Sequence, residues 1–370
     1  MVGTFNYGLG SILPRVISFF LIPLYTHYLV PDDYGIVELC ASIGLVTMTL
    51  MRFGVPGSVS RFYFDHKDNP EDLKDYVTTV HRFLIAGSIV VAILVGLVFY
   101  FFGEHITPGL LFYPFIVLVL INNTFSANSD LQRRLLQSAE KSRYTIYLNL
   151  FNSLIGIVAA IVFVVGFKLG AVGILLSQLI TTAIFFVKAQ LYLRPYTNGT
   201  FKTSMLKTSL KYGVNTLPHL LFVLLAPLIS KVILLQSNSM AALGIYSLAY
   251  RFTQPLQILY TAFNQAFNPI YFSLRKENTE PVKIQKYFRI IWLVSSILLI
   301  LSIFILPPLI PLITPPRFHN SADLVSILAT SFIWQIIYFL TVIDFYYLKK
   351  TKYIPLITLG GLIANIIITL

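Results

Sequence analysis

Three arginines stand inside stretches that are otherwise apolar. They are Arg15 in "YGLGSILPRVISFFLIPLY" (7–25), Arg52 in "MTLMRFGVPG" (48–57) and Arg251 in "LGIYSLAYRFTQPL" (243–256). A guanidinium stays charged and offers paired, planar donors that match phosphate oxygens. Few acids are at hand as partners: Glu38 lies just inside one apolar run, and Asp130 and Asp344 lie near the ends of others. This pattern points to an anion-binding cavity lined by protein. The competing reading is a structural ion pair, or an arginine bonded to carbonyls that a proline kink has freed. Arg15 and Arg251 are the strongest candidates, and Arg52 is intermediate because it lies where its side chain can snorkel. Lys231 is the weakest.

Other polar residues in apolar runs admit two readings. His219 follows Pro218 as Arg15 follows Pro14, so it could join the site, although a helix-packing histidine is the simpler reading. Asn264, Gln265 and Asn268, like Asn122, Asn123, Ser126 and Asn128, could line a cavity wall or make hydrogen bonds between helices. The histidines are scattered without metal-ligand spacing, and a single cysteine, Cys40, excludes a cysteine cluster or an intrachain disulfide. No nucleophile elbow, phosphate loop or dinucleotide fingerprint occurs, so the expectation is no enzyme, no metal and no cofactor.

The elements that must hold these residues are membrane helices. Of 370 residues 56% are hydrophobic and 11% charged, with a mean hydropathy of +0.77, against roughly a quarter charged in a soluble domain. Runs long enough to span a bilayer fall at 4–29, 34–59, 76–102, 108–130, 144–167, 171–193, 209–236, 241–265, 284–306, 318–343 and 354–370. At about 1.5 Å per residue Arg15 then lies near the middle of a core roughly 30 Å thick. Arg251 approaches a similar depth from the other side. With no separate signal peptide before residue 4, the first run is expected to remain as a membrane helix. The net charge of +12 is orientational. Alternate connections such as "VPDDYG" and "QSNSM" are nearly free of cations, whereas those holding Arg61 to Lys74, Arg133 to Arg143, Arg194 to Lys211, Arg275 to Arg289 and Lys349 to Lys352 are rich in them. Short cytoplasmic loops collect Lys and Arg, which predicts a cytoplasmic N-terminus and no role in nucleic-acid binding.

The chain also repeats itself. "YGLGSILPRVISFFLIPLY" is echoed by "YGVNTLPHLLFVLLAPLI" (212–229), each with prolines nine residues apart: Pro14 and Pro23, then Pro218 and Pro227. The runs that follow carry "YGIV" (34–37) and "LGIY" (243–246). Halves that start alike from the same side imply a parallel repeat about an axis normal to the membrane, with the prolines as candidate hinges. The expected domains are an N-terminal lobe at 1–193, a cytoplasmic connector at 194–208 and a C-terminal lobe at 209–370. In the connector region "FKTSMLKTSLK" (201–211) places Phe201, Met205, Leu206 and Leu210 near one helical face.

The stretch "YGLGSILPRVISFFLIPLYTHYLVPDDYGIVEL" (7–39), supported by "LKYGVNTLPHLL" (210–221) and "LGIYSLAYRFTQPL" (243–256), resembles the multidrug/oligosaccharidyl-lipid/polysaccharide exporter superfamily. Within it the likeness is to the Wzx-type flippases of lipid-linked oligosaccharides. The resemblance implies an all-α polytopic fold of two pseudo-symmetric six-helix lobes around a central cavity, in the bacterial cytoplasmic membrane. It implies flipping of undecaprenyl-diphosphate-linked oligosaccharide for surface polysaccharides such as lipopolysaccharide O-antigen. Arg15, Arg251 and Arg52 would then hold the diphosphate, beside a lining of His219, Asn264 and Gln265, with membrane lipid and the polymerase or assembly machinery as partners. The alternative is the multidrug branch, a cation-coupled antiporter, which should carry membrane-embedded carboxylates rather than arginines. Family members have twelve or fourteen spans, so the ending "GLIANIIITL" after about eleven is expected to leave the second lobe incomplete.

Overall fold

The computed structural model describes residues 21–214, 217–276, 281–348, 350 and 353–369. Arg15 and Pro14 therefore lie outside the described residues. The regular elements among those described are helical: α1 (Ile22–Tyr28), α2 (Pro31–Arg52), α3 (Val55–His66), α4 (Pro70–Ile106), α5 (Val117–Ser138), α6 (Ser142–Ala160) and α7 (Gly170–Leu193). There follow α8 (Thr203–Val214), α9 (Leu217–Ser237), α10 (Met240–Lys276), α11 (Pro281–Ile313), α12 (Ser321–Thr330), α13 (Phe332–Tyr347) and α14 (Ile354–Thr369).

Local signals set the ends. In "DNPEDL" the Asn69 side chain accepts from the backbone N–H groups of Glu71 and Asp72, Pro70 takes the first helical position, and two acids face the positive end of the dipole. These start α4 six residues before the apolar run at 76–102. The run at 34–59, read from sequence as one helix, is broken. Phe53 and Gly54 adopt left-handed φ angles of 50° and 70°, which end α2 and restart the chain as α3. Gly213 of α8 backs directly onto Gly54, in space that a Cβ would fill.

By length and apolarity, seven membrane-crossing segments stand among the described residues, carried by α2–α3, α4, α6, α7, α9, α11 and α12–α13. The eleven-run reading also placed spans on the first run, on α5, on α10 and on α14. The first run is described only from residue 21, as α1, and α14 is a shorter apolar helix. Helices α5 and α10 are rich in amides and charges, and these are the helices that carry the candidate chemistry. The lipid-facing side is plain on α4, where Val90, Ile93, Leu94 and Leu97 are exposed.

Among the described residues one core joins the two halves, at one end. Ile22, Leu29, Val37 and Leu39 of the first half share a cluster with Leu235, Leu243, Leu248 and Phe252 of the second. The tightest crossing is Gly35 of α2 on Gly244 of α10, where a Cβ on either would overlap backbone of the other helix. These glycines occupy the same place in "YGIV" and "LGIY". Equivalent residues that touch each other lie on a two-fold axis. Around the crossing Tyr34 packs edge-on against Phe318. Arg317 donates to the carbonyls of Thr26 and His27 at 3.0 and 2.5 Å, and Gln236 donates to that of His105 at 3.2 Å. At the other end the clusters are separate. One belongs to α3, α4, α5, α7 and α8, the other to α10, α11 and α13.

The connector is not loose. Thr78 and Thr79 of α4 accept from the backbone N–H of Gly199 and Lys202, Asp75 from that of Thr200 at 2.7 Å, and Lys202 pairs with Asp75 at 2.6 Å. Met205 and Leu210 pack on the first half's core, so the apolar face read from "FKTSMLKTSLK" covers protein.

Candidate functional site

Two cation clusters stand among the described residues, one across the seam between the halves and one within the first half. At the shut end Glu38, two turns into α2, faces α9 and α10. Its Oε1 accepts from Arg251 Nε and Nη2, each at 2.5 Å. Its Oε2 lies 3.4 Å from Lys231 Nζ, which donates to Ser42 Oγ at 2.9 Å. The Arg251 guanidinium also stacks over the Tyr34 ring, 5.6 Å from its centre. All three charged side chains are largely enclosed, at 10%, 23% and 8% exposed for Glu38, Arg251 and Lys231. One carboxylate thus serves two cations, and the cluster carries a net positive charge.

Lys231 differs from its sequence reading. The cation ranked weakest from the sequence is buried, because α2 passes beside it and supplies an acid and a hydroxyl. The apparent shortage of acids is also corrected here: Glu38 is the partner of Arg251. That pairing joins positions far apart in sequence, which no local pattern announces. The repeat shows how special it is. Three and seven residues past the paired glycines, the first half has Glu38 and Ser42, and the second has Ser247 and Arg251. The backbone symmetry is kept while the charges are not.

The second cluster lies at the split end. Asp130 of α5, 4% exposed, stands 3.8 Å from Arg52 Nε, 3.9 Å from Arg133 Nη1 and 3.7 Å from Arg134 Nε. These separations are too long for hydrogen bonds. Among the described residues Arg52 Nε, Arg134 Nε and Asp130 Oδ2 are buried and lack a hydrogen-bond partner. Three guanidinium groups around one carboxylate, two of them with an unpaired Nε donor, suit a phosphate. Arg133 and Arg134 had been assigned only to topology; their closeness to an acid three and four residues away on one helix was the available signal.

The remaining candidates separate. His219 shares a hydrogen bond of 3.2 Å with Thr358, tying α9 to α14. Asn264 lines a small aromatic cavity with Tyr260, Phe263 and Phe267, while Gln265 is exposed and away from it. Asn123 donates to the Gly44 carbonyl at 2.8 Å and Asn128 to Ser88 at 3.0 Å, so both fasten helices. Asn122, Asn123 and Ser126 also line a cavity, and Ser126 donates to Met48 Sδ of α2 at 3.4 Å. Pro218 stands in the first turn of α9, where a proline costs little; Pro227 lies inside that helix, and Pro23 is in the first turn of α1.

The fold is similar to that of solved multidrug transporters. An inward-facing multidrug-resistance MATE family transporter of the MOP superfamily aligns with a TM-score of 0.72 at 11% identity, over 95% of this chain and 83% of the other. An outward-facing transporter of the same description gives 0.52 at 14% identity, over 99% and 84%. A MATE protein in complex with MaD3S gives 0.59 at 12% identity, over 95% and 83%. No curated protein sequence matches the chain. A family model, described as polysaccharide biosynthesis protein, matches residues 2–275. With that match covering most of its length and a two-lobed, MATE-like helical fold beneath it, the chain belongs to the polysaccharide biosynthesis protein family.

Proposed function

We propose that this protein is a transporter that flips undecaprenyl-diphosphate-linked oligosaccharide across the bacterial cytoplasmic membrane, with its N-terminus in the cytoplasm. The observation that carries the reading is the cation excess: both enclosed charge clusters hold more guanidinium and ammonium groups than carboxylates. A buried cation without a counter-charge is costly, and an anionic headgroup in a hydrated cavity lowers that cost. A cation-coupled drug antiporter needs a carboxylate free to exchange its ion, whereas Glu38 and Asp130 are each hemmed in by arginines.

In this reading Arg52, with Arg133 and Arg134, meets the diphosphate from the cytoplasm. Arg15 and Arg251 meet it deeper, and Pro14, Pro23, Pro218 and Pro227 permit the helices to bend as the lobes exchange access. The shut seam lies at the end that the loop charges place outside. The greater likeness to the inward-facing relative supports a state that receives substrate from within. The test is glycolipid flipping in proteoliposomes at matched insertion. Arg15→Ala and Arg52→Ala should each lower the rate by about tenfold or more, as expected for loss of a charge-assisted hydrogen bond. Wild-type rates in both, or export of organic cations without glycolipid flipping, would overturn the proposal.

A further inference from the structure

A second polar feature lies wholly inside the first half and holds almost no charge. Along α5 the residues Asn122, Ser126, Ser129 and Arg133 recur at i, i+4, i+7 and i+11. Along α6 the residues Thr145, Asn149, Asn152 and Gly156 recur at the same spacing. Each set forms one helical stripe, and α7 adds Gln178 and Thr182. The stripes face one another across two cavities of about 580 and 820 Å³, and a third of about 600 Å³ adjoins them between α2, α5 and α7. These cavities share walls: Ser126 borders two of them, as do Asn152 and Thr182, and Asn122 and Gln178. From Asn122 to Arg133 the tract runs about 16 Å along α5.

The lining is unfinished as protein chemistry. Asn122 Oδ1, Asn152 Oδ1 and Gln132 Nε2 are buried and have no hydrogen-bond partner, and Gln132 as a whole is 4% exposed. Several hydroxyls already donate to their own helix, as Ser129 does to Phe125 and Thr181 to Ser177, which leaves their oxygens to accept. A buried amide left unpaired keeps the full cost of its lost hydration. Their natural complement is a guest that both donates and accepts many times without charge. No described residue lining the three cavities is acidic, which argues against an organic cation. Arg133, at one end, also borders the arginine cluster around Asp130.

We propose that this tract holds the uncharged, hydroxyl-rich sugar portion of the transported molecule, while the arginines hold its anionic head. The inference rests on the flippase reading and adds a separate place for the sugar. It is tested on the full chain in nanodiscs, with Cys40→Ser and a reporter cysteine, Thr182→Cys, whose maleimide labelling rate is followed. The probes are a panel of neutral oligosaccharides of hexose and N-acetylhexosamine units, inorganic pyrophosphate, and tetraphenylphosphonium. Saturable slowing of labelling by at least one neutral oligosaccharide is expected. Asn152→Leu and Gln132→Leu should each weaken that protection by about tenfold, the worth of a hydrogen bond to a buried amide. Pyrophosphate should bind by calorimetry, lose affinity in Arg52→Ala, and leave position 182 unprotected.

If pyrophosphate binds and no sugar in the panel protects position 182, the tract is only a water-filled space: the inference falls and the flippase reading stands. Protection by tetraphenylphosphonium in place of sugar would overturn both. Failure of pyrophosphate and sugars alike would also overturn both. The wild-type protection decides these outcomes even if a leucine variant folds poorly.

Discussion

At the shut end Glu38 meets Arg251 at 2.5 Å across the seam between the halves, whereas at the split end Asp130 stands 3.7 to 3.9 Å from three arginines of its own half. Both clusters surround one enclosed carboxylate with more than one cation, yet they do different work. In the first, short charge-assisted bonds spend the carboxylate on holding two lobes together. In the second, the carboxylate only moderates repulsion among guanidinium groups, two of which keep an unpaired Nε donor among the described residues. Counting charges would not separate them. Distance and the identity of the partner helix do.

Breaking the shut cluster should have the largest effect. Glu38→Ala leaves Arg251 and Lys231 facing each other without a counter-charge, and removing one partner of a buried pair costs about 3–5 kcal/mol. The thermal midpoint in detergent should drop sharply, and spin labels at Glu104 and Asn238 should report a wider separation of the seam. Adding Arg251→Leu should recover much of the loss, and a double variant as unstable as the single would show that Glu38 acts elsewhere. Lys231→Met should cost less, since its contact with Glu38 is longer at 3.4 Å and its removal lowers the excess charge.

The split cluster should respond in the opposite direction. Asp130→Asn removes the one acid paired with the three guanidinium groups among the described residues and should tighten pyrophosphate binding by about tenfold, roughly one close charge interaction near a surface. Calorimetry with wild type as reference measures it. Unchanged or weaker binding would mean that Asp130 positions the arginines rather than masking them.

The smallest effect belongs to the connector. The Lys202 ammonium, followed by the Thr200 N–H, holds the Asp75 carboxyl down to about 2. A depressed carboxylate stabilises the docked form above its unfolded value near 4 and loses that contribution as pH falls through about 2. Proteolysis between residues 194 and 203 should therefore be flat from pH 8 to 5 and rise modestly between about 4 and 2. Lys202→Met should weaken that dependence, leaving the smaller part that the Thr200 N–H supports. A rise already complete at pH 5 would assign the docking to another group.

The amino-acid sequence by itself determined the helices, their caps and the duplicated start of each half. These rest on local chemistry: apolar run length, "DNP" and "PDD" at helix starts, and recurring proline and glycine. It also held the polar stripes on α5 and α6, since a stripe is a property of one helix. What only the tertiary structure decided is which polar residues meet. Asn123, Ser126 and Asn128 fasten α5 to its neighbours while Asn122 keeps a buried oxygen unpaired at a cavity among the described residues, although all four share one helix. Glu38, Arg251 and Lys231 were legible as single charges, but their union depends on α2 crossing α9 and α10 at a pair of glycines small enough to let the backbones touch. A charge in a membrane helix can be read from its neighbours in sequence. Whether it holds the protein together or waits for a ligand is set by what the packing brings within about 3 Å of it, because a hydrogen bond is lost a few tenths of an ångström beyond that distance.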